Sequence, residues 1–131
     1  MTTQALTAES FEQTLLDNDI VLVDWWAAWC GPCRSFAPVF EQSSSTHPDI
    51  VFGKVDTEAE QSFAASAWIT SIPTLMVFRA STLVFSQPGA LPASALEQVI
   101  ASVRTLDMDD ILAQIAESQI DAESRAATAT S

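Results

Sequence analysis

Residues 20–33 read IVLVDWWAAWCGPC. The first half, Ile20 to Trp26, is a nearly continuous apolar run rich in β-branched and aromatic residues, the composition of a strand buried on both faces. Asp24 inside it is out of place. After the cysteines, Cys33, Phe36, Ala37 and Phe40 fall on one face of a helix that runs to about His47-Pro48. Pro32 sits in the first turn, where a missing N–H is no loss. Pro38 sits in the middle and is expected to kink the helix, because the carbonyl of Arg34 loses its partner.

Upstream, TAESFEQTLLDND offers Thr7 as an N-cap supported by Glu9 or Ser10, and Phe11, Leu15 and Leu16 give the apolar spacing of one amphipathic helix. Downstream, DIVFGKVD (residues 49–56) reads as a second strand. TEAEQSFAASAW (residues 57–68) reads as a short helix, with Thr57 as cap and Glu60 placed for a capping box. PTLMVFR and TLVFS predict an antiparallel hairpin, although its turn residues Ala80 and Ser81 lack Asn-Gly chemistry. PASALEQVIASV places Leu96, Val99, Ile100 and Val103 on one helix face, with Pro92 in the first turn.

The order helix, strand, helix, strand, helix, hairpin, helix predicts an α/β fold: a central mixed β-sheet flanked by helices on both faces. Residues 1–106 make that domain. Residues 107–131 form an acidic C-terminal extension. In it Met108, Ile111, Leu112 and Ile115 keep helical spacing, and DAESRAATATS then loses periodicity and is expected to be disordered.

With 131 residues, 48% hydrophobic and 17% charged, the chain has an ordinary globular interior that needs no covalent staple. Seventeen acidic groups against five basic ones give a net charge of −12. That field repels phosphate backbones and anionic lipid, which argues against nucleic-acid and membrane-surface binding. The first twenty residues hold no Lys or Arg, and Glu9, Glu12, Asp17 and Asp19 interrupt any apolar run. A cytoplasmic chain is expected, in a reducing compartment where disulfides are transient.

Cys30 and Cys33 are the only two cysteines. A bond between them closes so short a loop that the chain-entropy model gives only about 2 kcal/mol, weak for a staple. A zinc site needs four ligands. One cysteine pair and the single His47, expected at a helix C-terminus, fall short unless two chains share the metal. A reactive dithiol accounts for the neighbours better. Cys30 precedes a helix, where unpaired backbone N–H groups and the dipole stabilise an anion and lower a cysteine pKa. A fall from about 8.5 to about 7 raises the thiolate fraction at pH 7 roughly sixteenfold, and weaker intrinsic nucleophilicity removes about fivefold of that. The larger gain is a better leaving group and a shifted reduction potential. Gly31 leaves room for an approaching chain, and Cys33, one turn deeper, can attack a mixed disulfide on Cys30.

Other features stand in register with this motif: Asp24 six residues before Cys30, KVD at Lys54, SIPT at Ile72-Pro73 and PGA at Gly89. Together with DWWAAWCGPC they resemble the thioredoxin family, over about residues 4–106. The resemblance implies a thioredoxin fold with a redox-active disulfide, Cys30 attacking and Cys33 resolving. It implies that Asp24 is a buried carboxylate exchanging a proton with Cys33 through water. Burial would raise its pKa toward neutrality, and Lys54 would limit the rise. It implies a cis Pro73 against the dithiol, and a shallow apolar substrate groove made of Trp29, Gly31, Pro32, Ile72, Pro73, Gly89 and Ala90. Trp25 and Trp26 are expected in the core. Trp68 stands where the family often has a small residue, and filling space near the sheet edge is favoured over substrate contact. Three positions depart from the family: Arg34 replaces a frequent lysine, Ala80-Ser81 a glycine turn, and Pro88 a branched apolar residue. The last two touch the hairpin and groove rim, so reaction type carries over more firmly than partner preference.

The expected function is protein-disulfide reduction by dithiol–disulfide exchange, serving redox homeostasis and electron transport. No cofactor or metal is expected on the chain, which has no nucleotide-binding glycine fingerprint. The resemblance implies electrons from NADPH through a flavin-dependent thioredoxin reductase, disulfide-containing client proteins as partners, and a monomer. Two alternatives stay open at this point: an oxidising relative of the same fold, and a binding or regulatory subunit with incidental thiols.

Overall fold

The computed structural model describes the backbone of residues 3–129 and the side chains of residues 3–118. Five strands, β1 (Thr3–Ala5), β2 (Ile20–Trp26), β3 (Val51–Asp56), β4 (Thr74–Arg79) and β5 (Thr82–Pro88), form one sheet in the order β1-β3-β2-β4-β5. β1 and β2 run parallel to β3, while β4 is antiparallel to β2 and to β5. The α/β class and the mixed sheet match the sequence reading.

β2 is central, and alternation sorts its side chains between two cores. Ile20 and Leu22 join Phe36, Phe40, Phe52 and Leu75 on one face, and Val21, Val23 and Trp25 join Leu6, Val55 and Met76 on the other. Helices α2 (Gly31–Thr46) and α4 (Ala93–Arg104) cover the first face. Helices α1 (Ala8–Asp17) and α3 (Gln61–Ser66) cover the second through Phe11, Leu15 and Phe63. Leu22, Trp25, Phe36, Phe40 and Phe52 are all but inaccessible. Each contributes roughly 1.5–3 kcal/mol of apolar burial, which holds the sheet rigid under the cysteines.

Several elements depart from expectation. β1 leaves no mark in the sequence: Thr-Gln-Ala has neither an apolar run nor alternation, and the strand exists through its pairing with β3. The next residue, Leu6, lies over Gly53, where an added Cβ would fall 2.8 Å from Leu6 Cγ. Thr7 caps α1 as expected, Oγ1 accepting the Ser10 N–H at 3.3 Å, but Leu16 is exposed, one residue out of phase with Leu15. The helix expected from Thr57 begins only at Gln61. Thr57 Oγ1 instead donates to the Trp26 carbonyl at 3.0 Å, and Glu60 Oε1 accepts the Ala8 N–H at 2.6 Å, serving the first turn of α1. Pro92 is the N-cap of α4, one step before the first turn.

Ala80 and Ser81 form the hairpin turn with φ of 50° and 63°, left-handed backbone that costs a non-glycine residue about 1–2 kcal/mol. Bonds to the end of α1 and the loop after it offset this: Ala80 N–H to the Asp19 carbonyl at 2.8 Å, and Ser81 Oγ to the Leu15 carbonyl at 3.1 Å.

At the far end of β4, Arg79 Nη1 donates to the carbonyls of Val103 and Leu106, each at 2.8 Å, and of Arg104 at 3.3 Å. These are carbonyls at or just past the end of α4, where the helical ladder runs out, although the Val103 carbonyl also accepts the Leu106 N–H at 3.3 Å. Arg79→Met is expected to lower the unfolding free energy by about 2 kcal/mol, since charged hydrogen bonds are worth about 1.5–3 each and water recovers part of the loss. A urea midpoint that stays at the wild-type value would rule this bracing out.

A fifth helix, α5 (Met108–Ala129), replaces the expected short helix and disordered end. Apolar spacing marks only its first turns, and from residue 121 on the Ala and Glu content favours helix without that periodicity, which is why the pattern does not reveal its full length. Leu112 and Ile115 on it are exposed, and residues 130 and 131 lie outside the described range. Among the described residues no helix is long and apolar enough to cross a membrane.

Candidate active site

β2 ends at Trp26 and α2 begins at Gly31, which leaves Cys30 as the N-cap of α2 in extended backbone, φ −86° and ψ 116°. Pro32 lies in the first turn as expected. Cys30 and Cys33 are joined as a disulfide, their Cα atoms 5.2 Å apart. Cys30 Sγ accepts the Cys33 N–H at 3.2 Å, the bond an N-cap side chain makes. In the reduced pair that N–H and the helix dipole favour negative charge on Cys30. The carbonyl oxygen of Ile72 lies 3.7 Å from the same sulfur. Cys30 is 4% exposed and Cys33 2%, so a client sulfur must press close to reach either.

Asp24 has the parity of Leu22 and therefore points to the face of β2 that α2 covers. It is buried, and neither carboxylate oxygen accepts a hydrogen bond from the described residues. Lys54 of β3 and Leu75 of β4 flank it in register. Burial pushes the carboxyl up from 3.8 to about 7, while the Lys54 ammonium pulls the other way. Lys54 Nζ itself sits 4.8 Å above the Trp26 ring, and the cation–π contact restrains it near the strand. A carboxyl titrating near neutrality can both take and return a proton.

Around the dithiol, Trp29 is 66% exposed, and its Nε1–H donates to Glu58 Oε1 at 2.8 Å. Glu58 is fixed in turn by its N–H on Asp56 Oδ1 at 2.9 Å. Sequence reasoning missed Glu58, which lies too far along the chain from Trp29 to leave a local signal. The Ile72-Pro73 bond is cis, and the Pro73 carbonyl accepts the Gly89 N–H at 2.8 Å, tying β5 to the loop beside Cys30. Gly89 needs its glycine, with φ of 99°, whereas a Cβ on Gly31 would meet nothing within 4 Å. Gly31, Pro32, Gly89 and Ala90 are all exposed and Ile72 is half-buried. Arg34 Nη1 donates to the Ala28 carbonyl at 3.0 Å and so braces the loop that presents Cys30.

Trp25 is buried as expected and Trp26 partly so. Trp68 corrects the sequence reading: it fills no interior space and is 86% exposed. His47 caps the end of α2, its Nε2 2.7 Å from Glu97 Oε2. Among the described residues no three His, Cys, Asp or Glu side chains gather as metal ligands do.

Dithiol–disulfide exchange is the chemistry this arrangement supports, and fold and site together define a thiol–disulfide oxidoreductase. Residues 2–102 match the thioredoxin family model. A Streptomyces coelicolor protein provisionally named thioredoxin 2 is 53% identical over 120 residues, which cover 92% of this chain and 90% of that one. A thioredoxin of Porphyra purpurea is 40% identical over 102 residues, 76% of this chain and 95% of its own. Among solved structures, Plasmodium falciparum thioredoxin superposes with a TM-score of 0.71 at 36% identity, over 76% of this chain and 98% of that one. The chain belongs to the thioredoxin family, and its activity is protein-disulfide reduction.

Proposed function

We propose that this chain is a monomeric cytoplasmic reductase of client-protein disulfides, in which Cys30 attacks and Cys33 resolves. Cys30 thiolate forms a sulfur–sulfur bond to one client sulfur, and the client's own disulfide breaks, its other sulfur leaving as a thiolate that picks up a proton. Cys33 then loses its proton to the Asp24 carboxylate, through water, and attacks Cys30 Sγ. The second client sulfur departs, so two electrons have passed to the client and the Cys30–Cys33 disulfide has formed. Lys54 keeps Asp24 from becoming too weak an acid to return the proton. Trp29, Gly31, Pro32, Ile72, Pro73, Gly89 and Ala90 bound the groove that receives an extended client segment.

The observation that carries the reading is the Cys30 sulfur at the N-cap, accepting the Cys33 N–H, on the sheet face that also holds Asp24. Re-reduction draws on NADPH through a flavin-dependent thioredoxin reductase, a partner taken from the family resemblance, and the chain itself carries no cofactor. This cycle places the chain in electron transport and redox homeostasis. The net charge of −12 supports protein clients over nucleic acid or anionic lipid.

The direction of flow is tested by equilibrating the pair against thiol buffers and trapping free Cys30. A midpoint near −270 mV, the value known for the thioredoxin family itself, is expected. A value near −120 mV, roughly 7 kcal/mol more oxidising, would make the chain an oxidant instead.

A further inference from the structure

Trp68 is the most exposed of the large apolar side chains described, at 86%, and its φ of 60° is left-handed backbone that a bulky residue adopts only against steric resistance. Its backbone N–H bonds the Ala65 carbonyl at 3.1 Å. Its indole meets no ring, cation or hydrogen-bond partner among the described residues. The fold gains nothing from this side chain and would relax with glycine in its place.

Position supplies the second observation. Trp68 is four residues from Ile72, whose carbonyl lies 3.7 Å from Cys30 Sγ. Four residues of fully extended chain span at most about 14 Å, so the Trp68 backbone lies no farther than that from Ile72, a span that a few residues of an extended client segment held at Cys30 cover.

Charge supplies the third. The molecule carries a net −12, yet Arg34, Lys54, Arg79 and Arg104 are each engaged elsewhere: with the Ala28 carbonyl, the Trp26 ring, the end of α4 and Asp49 respectively. An open indole on a chain of this net charge, with no cation stacked on it among the described residues, is a receptor for a cation brought by the client.

We infer that Trp68 contacts substrate and selects client disulfides flanked by Lys or Arg, the client cation stacking on the indole while its disulfide meets Cys30. The inference rests on the reading of Cys30 as the attacking thiol. It is tested with two synthetic peptides of equal disulfide loop, one carrying Arg and the other Glu beside the reacting cysteine. The readout is the ratio of their kcat/KM values. Trp68→Gly is expected to lower that Arg-over-Glu ratio about tenfold, most of it in KM, and Trp68→Phe to retain most of the preference. A general folding defect would lower both rates and leave the ratio alone. The thermal midpoint of Trp68→Gly is expected at or above wild type, as strain is removed. An unchanged ratio overturns the inference, as does a midpoint several degrees lower, which would assign the indole to the fold. Wild type that reduces neither peptide would remove the Cys30 reading and this inference with it. Wild type that reduces both, with no effect of Trp68, removes the inference alone.

Discussion

Cys30→Ser is expected to abolish catalysed insulin reduction by dithiothreitol, taking the turbidity rate down at least about a hundredfold to the background level, ~2.7 kcal/mol or more of transition-state stabilisation. The loss is total in kind because a hydroxyl cannot form the sulfur–sulfur bond with which the reaction begins. Cys33→Ser separates attack from resolution. Its Cys30 still sits at the N-cap of α2 with the backbone N–H of residue 33 available to it, since that bond runs through main chain. It should therefore take one equivalent of client and stop, leaving a mixed disulfide visible on a non-reducing gel. Cys30→Ser should give none. Both variants lose the same short-loop disulfide, about 2 kcal/mol in the chain-entropy model, so a difference between them cannot come from stability. Covalent capture by Cys30→Ser instead would exchange the two roles, and residual activity above about a tenth in that variant would remove the nucleophile from residue 30.

Much of this site is legible in the sequence because its signals are local. IVLVDWW reads as a buried strand from its β-branched and aromatic content, and it is β2 to the residue. A cysteine between that strand and an amphipathic helix had to fall near a helix N-terminus, and it caps one. Asp24 announced itself as a charge in an apolar run. Hidden features were those fixed by tertiary pairing. β1 has no pattern of its own, and Glu60 looked like half of a capping box until Ala8 claimed its carboxylate. Glu58 gave no hint that it would hold the Trp29 indole. Trp68 was misread for a different reason. Large aromatics are usually interior residues, and nothing in the run SAWITS says that the backbone turns left-handed there and carries the ring outward. In the second half of the extension apolar periodicity is silent, and Ala-rich helix propensity is the signal that carries α5 onward.

Asp24→Asn is expected to make the oxidised protein more stable and the catalyst slower. The folded carboxyl titrates at about 7 against an ordinary value of 3.8, so between those limits the folded chain binds more proton than the unfolded one. Stability therefore falls as pH rises through that window and levels off above it. A gap of about three pH units amounts to about 4 kcal/mol, the cost of holding a charged carboxylate with no hydrogen bond in the interior. An amide resembles the protonated carboxyl in size and in its unmet hydrogen bonds. The two proteins should then unfold alike in urea near pH 4 and differ by about 3–4 kcal/mol near pH 8, the variant being the more stable. A stability gain that does not change with pH would mean that burial is not what raises this pKa. The kinetic half of the prediction separates a working group from a mere defect. Without the carboxylate Cys33 must lose its proton to solvent, so the mixed disulfide should accumulate while the first attack, which needs no such acceptor, keeps nearly its wild-type rate. Equal slowing of both steps would assign Asp24 to the general environment of the dithiol. If both halves hold, Asp24 weakens the fold at working pH and speeds only the step that needs a proton acceptor, the pairing of costs and gains expected of a working group.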